Sequence, residues 1–291
     1  MATLTQWIHG ARPYTLPAAV APVAAGTGAA AALHGADPGR ALLALAVALC
    51  FQIGVNYAND YSDGIRGTDA TRLGPARLTA SGAARPGEVL AAALACFGAA
   101  LAAGTWLVVL CRSWWLLGVG GACVPAAWFY TGGRRPYGYR GRGEIYVFVF
   151  FGLVAVLGTT YTQAGRISLA AACAAVGTGA LACAVLMANN LRDIATDAAA
   201  GKRTLAVRLG DRAARRAYAA MLAVSLLMVL PVLPGHGWAA LALLSLPVMA
   251  RPLRAVLAGV QGRDLLPVVR DTGRTELAYG LLLALGLALS S

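Results

Sequence analysis

The chain of 291 residues is strongly apolar, with 59% hydrophobic and only 12% charged residues. A soluble domain of this length would struggle to stay in solution with that balance, so the composition indicates a membrane-embedded protein and excludes an ordinary soluble enzyme. The formal net charge of +12 is explained by basic loops beside membrane helices, so no nucleic-acid partner is expected.

Apolar runs about long enough to cross a hydrocarbon core of roughly 30 Å follow one another along the chain. In order they cover 15–34, 41–58, 88–110, 114–131, 145–164, 168–190, 217–233, 237–250 and 275–291. The sequence therefore predicts an all-α polytopic membrane protein with about nine transmembrane helices. No polar block is long enough for a soluble domain, so residues 1–291 are predicted to form a single membrane domain.

Basic residues are concentrated in alternate loops, which lie on one side of the predicted membrane helices. The loops after the second, fourth, sixth and eighth runs, together with Arg12, hold 21 of the 24 Lys and Arg residues, and every acidic residue except Asp37 lies on the same side. Short basic loops stay in the cytoplasm. We therefore predict a multi-pass protein of the cell membrane with a cytoplasmic N-terminus, an active site toward the cytoplasmic face, and membrane lipid as a partner.

Two Asn/Asp-rich segments end the second and sixth runs. Asp60 and Asp63 are three residues apart, and Asp193 and Asp197 are four apart, so each pair shares one face of a helix. Mg²⁺ prefers oxygen ligands and is usually held by one or two carboxylates together with substrate phosphates. A solvated helix end would explain one pair, but the recurrence predicts that all four are catalytic metal ligands holding Mg²⁺ against a diphosphate.

The two segments stand four helices apart, which suggests a four-helix repeat over about 12–131 and 145–250, followed by a ninth helix. A parallel repeat of this kind would bring the two Asp-bearing segments together on one face of the bundle. The site would then lie between the halves.

Polar side chains near the two motifs are candidates for substrate binding. Arg and Lys suit a diphosphate whose negative charge grows as its ester bond breaks, and the Gly-, Arg- and Tyr-rich loop after the fourth run suits a lid over an anion. Ordinary interfacial loop charge is the alternative. The candidates are Asn56, Asn59, Arg66, Asn190, Lys202, Arg203, Arg134, Tyr130, Tyr139 and Arg12.

The residues Asn59, Asp60, Asp63, Asp193 and Asp197 resemble the two motifs of the UbiA-type superfamily of intramembrane aromatic prenyltransferases. Longer segments over about residues 7–216 look like the branch of that superfamily that prenylates 1,4-dihydroxy-2-naphthoate in menaquinone synthesis. They are ARPYTLPAAVAPV, NYANDYSDGIRGTD, YTGGRRPYGY, VFVFFGLVAVLGTTYTQ and NNLRDIATDAAAGKRTLAVRLG.

Two positions depart from the pattern of the superfamily. Gly67 stands where many members have an Asp, with Asp69 as a potential substitute, and Arg134 stands where a Lys is common.

The resemblance implies nine helices around a central cavity and a polyprenyl diphosphate bridged to the aspartates by Mg²⁺. It also implies attack of the naphthoate ring on an allylic carbocation, with loss of CO₂ and diphosphate to give demethylmenaquinol. A general base stays open among Asp63, Glu144 and Asp197.

Other readings remain open at this stage. 4-Hydroxybenzoate or homogentisate could replace naphthoate as acceptor, because the aspartate motifs recognise the diphosphate and say little about the ring. A CDP-alcohol phosphotransferase would share Asp60, Asp63 and Gly64, but its second aspartate pair would follow much sooner. A transporter of anionic lipids would also suit basic loops and repeated halves, although its charges should lie near the membrane midplane.

Overall fold

The computed structural model describes residues 2–68 and 74–291, so Asp69 lies outside the described residues. Within these ranges the secondary structure consists of helices joined by turns, without a β-strand. The expectation of an all-α protein is confirmed.

The α-helices form the bulk of the described chain. They are α1 (Leu4–Ala11), α2 (Pro17–Ala31), α3 (Pro38–Ile65), α4 (Pro86–Cys111), α5 (Leu116–Trp128), α6 (Gly143–Ala164), α7 (Leu169–Arg192), α8 (Ile194–Ala199), α9 (Leu205–Leu209), α10 (Asp211–Leu227), α11 (Leu246–Leu257) and α12 (Leu266–Leu289). Shorter 3₁₀ segments are Pro13–Thr15, Gly138–Arg140, Leu230–Val232, Gly237–Ser245 and Gly262–Leu265. Within α6, the segment Phe148–Val154 is π-helical.

Each apolar run of the sequence is helical in the structure, although not every helix is long enough to span a bilayer by itself. Among the described residues, six segments meet that requirement of length and hydropathy. Helices α2 and α5 are apolar but have only 15 and 13 residues. The chain is thus an integral membrane protein, and the count of nine spans stays a prediction.

Several helices extend beyond the apolar runs that predicted them, and α3 and α12 are two examples. Helix α3 continues beyond residue 58 to Ile65, and α12 begins at Leu266 rather than at 275. In both cases polar residues lower the hydropathy without breaking the backbone hydrogen bonds of the helix. Helix α3 begins where the Asp37 side chain accepts a bond from the Arg40 backbone N–H at 3.0 Å, with Pro38 as the first helical residue.

Helix α7 lies at the centre of the bundle, and most of its residues are buried. Its small residues allow neighbouring backbones to approach closely. A Cβ added to Gly152 of α6 would lie 2.7 Å from the Gly179 Cα of α7. This contact fixes the π-helical segment of α6 against the central helix.

The bundle has two ends, defined by contacts between helix termini. At one end, here named the aspartate end, the C-terminal turn of α3 meets the segment that follows α8, through Asp63 and Lys202. At the other, the far end, the Arg40 guanidinium donates to the carbonyl oxygens of Leu110 in α4 and Thr162 in α6, at 3.1 and 3.0 Å. The N-terminal end of α3 and the C-terminal ends of α4 and α6 therefore lie together at the far end.

Candidate active site

Asp63 is the centre of the polar cluster at the aspartate end. Its Oδ1 accepts a hydrogen bond from the Tyr139 hydroxyl, and its Oδ2 accepts from Lys202 Nζ at 3.2 Å. Asp63 and Lys202 are only 4% and 8% exposed, and the Lys202 ammonium also lies 4.8 Å from the centre of the Tyr139 ring. This ion pair joins the C-terminal turn of α3 to the segment that follows α8.

A second group of contacts ties the loop after α5 to α3. The Thr131 hydroxyl donates to Asn59 Oδ1 at 2.7 Å, and Asn59 lies one helical turn before Asp63. The Arg66 guanidinium donates to the carbonyl oxygens of Thr131 and Gly133. Arg66 therefore holds the loop and carries positive charge beside the cluster.

Asp60 has different partners, although it lies on the same helix. Its two oxygens accept backbone N–H bonds from Leu78 and Thr79, both at 2.8 Å, and the residue is fully buried. These bonds fix the turn that precedes α4. Asp60 would have to exchange at least one of them to ligate a metal, so its assignment as a metal ligand stays a prediction.

The second motif is arranged more locally. Arg192 donates to both oxygens of Asp193, with Nε at 2.8 Å, and Asp197 lies one turn further on, half-buried. Asn190 donates to Glu144 Oε1 at 3.0 Å. The other Glu144 oxygen, Oε2, is buried and has no hydrogen-bond partner in the described part of the chain.

Two predicted binding residues lie apart from the cluster. The side chains of Arg134 and Arg203 are exposed, and Arg203 contributes its backbone N–H, which donates to the Tyr139 carbonyl oxygen at 2.9 Å. This bond holds Tyr139 in the orientation that reaches Asp63. The structure therefore brings the Arg203 backbone, but not its guanidinium, to the cluster.

An elongated cavity of about 350 Å³ extends from the aspartate end into the bundle. It is lined by α2, α3, α4, α5, α6 and α7, and most of its lining side chains are apolar. Along α3 its lining runs from Asn59 to Ala44, which corresponds to about 22 Å of helix axis.

The mouth of the cavity is polar. Arg12, Asn56, Asn59 and Asn189 all line it, and Asn189 lies one turn before Asp193. Asn56 Nδ2 donates to Thr15 Oγ1 and to the Ala11 carbonyl oxygen, both at 2.9 Å. The Arg12 guanidinium donates to the Asn56 carbonyl oxygen at 3.3 Å, so the chain before α2 is held against α3 by polar bonds.

Aromatic rings form one wall of the cavity. Tyr137 and Tyr146 are stacked with ring centres 3.7 Å apart, Phe150 stacks on Tyr146 at 6.3 Å, and Tyr130 meets Tyr137 edge to face at 5.6 Å. All four rings line the cavity, and Phe150 belongs to the π-helical turn, a feature common at functional sites. Burial raises the pKa of Tyr130, with a further contribution from Glu144, so its hydroxyl stays protonated.

Tyr139 likewise stays protonated, because burial and the Asp63 charge raise its pKa. A neutral phenol is a hydrogen-bond donor, which fits its bond to Asp63.

Sequence reasoning missed three components of this site. Thr131 donates a hydrogen bond to Asn59, but an uncharged threonine in a loop gives no sequence signal of a binding site. The turn containing Leu78 and Thr79 acts through backbone N–H groups, which leave no signal in side-chain type. Tyr146 was overlooked because it lies within an apolar run.

The cluster offers few protein ligands for Mg²⁺. Within residues 2–68 and 74–291 there is no group of three His, Cys, Asp or Glu side chains that could hold a metal ion. Mg²⁺ is commonly bound by one or two carboxylates, with waters and substrate phosphates completing the shell. Asp63 and the second motif fit that mode rather than an all-protein cage.

A bundle of apolar helices, a cavity with a polar mouth, and carboxylates interleaved with Lys and Arg define an intramembrane enzyme for amphiphilic anions. Similarity to known proteins defines the family within this class. The profile of the UbiA prenyltransferase family matches residues 19–270. The chain belongs to this family.

Two relatives match nearly their full length. A 1,4-dihydroxy-2-naphthoate octaprenyltransferase of Mycobacterium tuberculosis is 54% identical over 288 residues, covering 99% of this chain and 98% of the relative. A protein of the same name from Escherichia coli is 39% identical, and the match covers 98% of this chain and 95% of that protein.

Solved structures share the fold at low sequence identity. An apo UbiA homolog from Aeropyrum pernix has a TM-score of 0.65 at 19% identity, covering 94% of this chain and 97% of that one. A UbiA homolog from Archaeoglobus fulgidus bound to GPP and Mg²⁺ has a TM-score of 0.61 at 17% identity, with coverage of 96% and 99%.

Proposed function

We propose that the chain transfers a polyprenyl group from polyprenyl diphosphate to 1,4-dihydroxy-2-naphthoate, with loss of diphosphate and CO₂, to give demethylmenaquinol for menaquinone synthesis. The observation that carries the proposal is the meeting of two aspartate-bearing segments at the polar mouth of an apolar cavity. That arrangement fits a substrate with a diphosphate head and a long hydrocarbon tail. Membership of the family and the names of relatives at 39% and 54% identity support the same reaction.

In the proposed reaction the C1–O bond of the prenyl diphosphate breaks, and both electrons leave with the diphosphate. A new bond forms between C1 and the electron-rich naphthoate ring. The carboxylate leaves as CO₂, and its bonding electron pair returns to the ring. The overall reaction therefore balances without an oxidant or reductant.

The diphosphate is proposed to bind among Asp63, Asp193 and Asp197, where Lys202 and Arg192 supply fixed positive charge. A bound Mg²⁺ would neutralise charge on the leaving diphosphate. Lys202 and Arg192 now neutralise Asp63 and Asp193 at short distance, and an incoming diphosphate offers them a second anionic partner. Preorganised cations of this kind stabilise charge that grows in the transition state.

The acceptor ring is proposed to bind along the aromatic wall of Tyr130, Tyr137, Tyr146 and Phe150. Aromatic rings stack favourably in an apolar pocket, and ring faces attract the positive charge of an allylic cation. Arg12 at the cavity mouth suits the carboxylate of the acceptor.

We further propose that the aspartate end faces the cytoplasm and that the protein resides in the cell membrane. The basic loops that lie at this end support the orientation. Both water-soluble groups, the diphosphate and the naphthoate carboxylate, would then enter from the cytoplasmic side.

The test is prenyl transfer by the purified protein in detergent, with 1,4-dihydroxy-2-naphthoate, 4-hydroxybenzoate and homogentisate as competing acceptors and product identification by mass spectrometry. We expect a decarboxylated prenyl naphthoquinol whose formation stops when a chelator removes Mg²⁺ and returns when Mg²⁺ is restored. Asp264→Asn, an exposed acidic position outside the cluster, is the matched control for aspartate variants. Preferential prenylation of 4-hydroxybenzoate or homogentisate would overturn the acceptor, and the absence of any prenylated product would overturn the reaction.

A further inference from the structure

The far half of the cavity is lined differently from its mouth. Gly104 of α4, Gly120 of α5 and Gly158 of α6 line it from three separate helices. Gly104 lies six residues before Leu110 and Gly158 four residues before Thr162, the two residues whose carbonyl oxygens accept bonds from Arg40. These separations correspond to about 9 and 6 Å of helix axis, so Gly104 and Gly158 lie near the far end, away from Asp63. Gly120 lies in the first turns of α5, the helix that begins at Leu116 shortly after α4 ends at the far end.

These glycines leave space that the protein does not fill. A Cβ added at Gly120 or Gly158 would meet no described atom within 4 Å, and one added at Gly104 would meet only the Val47 side chain, at 3.7 Å. Glycine costs about 1 kcal/mol relative to alanine inside a helix. The backbone gives no reason for it here, because none of the three has a positive φ.

Glycines that serve helix packing look different in this structure. A Cβ at Gly28 would lie 2.4 Å from the Ala284 Cα, and one at Gly280 would lie 2.7 Å from the Ala21 carbonyl oxygen. At those positions only glycine allows the two backbones to approach. Gly104, Gly120 and Gly158 have no such neighbour, and what their lack of a side chain provides is cavity volume.

We infer that Gly104, Gly120 and Gly158 determine the length of prenyl tail that the enzyme accepts, because they keep the far half of the cavity open for the distal isoprene units. The inference rests on the proposed function, since it takes the prenyl tail as the occupant of the apolar cavity. The diphosphate and first isoprene units lie near the aspartate end. A side chain added at the far end therefore contacts only the distal part of a long tail.

The chain offers matched control positions on the same helices. Gly98 of α4 and Gly118 of α5 also have no described atom within 4 Å of an added Cβ, but both are exposed and neither lines the cavity. A leucine at Gly98 or Gly118 gives the same gain in helix propensity and adds the same side chain outside the cavity. Gly98→Leu is the control for Gly104→Leu, and Gly118→Leu is the control for Gly120→Leu.

The experiment compares kcat/KM for geranyl, farnesyl, geranylgeranyl and octaprenyl diphosphate with one fixed acceptor. In Gly104→Leu, Gly120→Leu and Gly158→Leu we expect the octaprenyl-to-geranyl ratio to fall about tenfold or more, because overpacking affects only the long tail. Gly98→Leu and Gly118→Leu should keep the wild-type ratio. Alanine at the same three cavity positions adds only one methyl group, so the octaprenyl-to-geranyl ratio should shift in the same direction but by less. The alanine variants provide the comparison if a leucine variant fails to fold.

A second readout separates this inference from the proposed reaction. Thermal stabilisation of the purified protein by each prenyl diphosphate needs no acceptor, and its dependence on tail length should change in the same variants. If the wild-type protein binds prenyl diphosphates but does not prenylate naphthoate, the proposed reaction is overturned. The role of the three glycines in tail length is then still tested by the thermal stabilisation. An equal loss for all tail lengths, a shift in the control variants, or an unchanged ratio in the cavity variants would overturn the inference.

Discussion

The two aspartate motifs look alike in the sequence but are built into the structure in different ways. Asp60 and Asp63 of the first motif are held by residues distant in sequence, namely Leu78 and Thr79 for Asp60, and Tyr139 and Lys202 for Asp63. Asp193 of the second motif is held by its neighbour Arg192. The first motif therefore connects several segments of the fold, whereas the second closes locally and can exchange its partner for a ligand with little rearrangement elsewhere.

The largest expected effect is at Asp63. Asp63→Asn should lower kcat/KM on the order of 10³-fold, because it removes the negative charge that pairs with Lys202 and is proposed to hold the metal. Steady-state kinetics at saturating Mg²⁺ measure this loss. Asp264→Asn should match the wild type, and an Asp63→Asn enzyme with nearly normal activity would remove Asp63 from the metal site.

Lys202 should have the next largest effect. Lys202→Met keeps an unbranched chain but loses the charge beside Asp63, and we expect kcat/KM to fall about 10²-fold. Lys202→Arg should recover part of this loss, because it restores the charge with a different geometry. If Met and Arg at this position performed equally, the charge of Lys202 would not matter to the reaction.

Asp60 sharpens the contrast inside the first motif. Asp60→Ala leaves the backbone N–H groups of Leu78 and Thr79 without their carboxylate partner, so we expect a loss of about 2–3 kcal/mol in stability. The apparent melting temperature in detergent should fall clearly for Asp60→Ala and stay unchanged for Asp264→Asn, the exposed control. An unchanged melting temperature combined with lost Mg²⁺-dependent activity would instead favour Asp60 as a metal ligand.

Tyr139 should have the smallest of these effects. Tyr139→Phe removes one hydrogen bond to Asp63 and keeps the ring beneath Lys202, so kcat/KM should fall about tenfold. The matched control is Tyr161→Phe, whose ring lies against Trp115 outside the cluster. A loss as large as that of Asp63→Asn would mean that the hydroxyl itself acts on the substrate.

Much of the fold could be predicted because a bilayer imposes simple length and hydropathy requirements. Each apolar run corresponds to a helical segment, and the spacing of Asp60, Asp63, Asp193 and Asp197 led to the proposed chemistry. The helix ends were less predictable, since α3 extends through polar residues to Ile65 and α12 begins nine residues before its predicted start. Hydropathy reports the membrane, whereas the end of a helix depends on caps and backbone hydrogen bonds.

The sequence by itself determined that this is a helical membrane protein with two carboxylate pairs at recurring positions, because those properties depend on composition and local periodicity. Only the tertiary structure decided which partners each carboxylate has. It placed Lys202 and Tyr139 on Asp63, gave Asp60 to a backbone turn, and left the guanidinium groups of Arg134 and Arg203 in the exposed loops. It also distinguished glycines that allow backbones to touch from glycines that open the cavity. These outcomes depend on contacts between segments far apart in the chain, and no local pattern of residues encodes them.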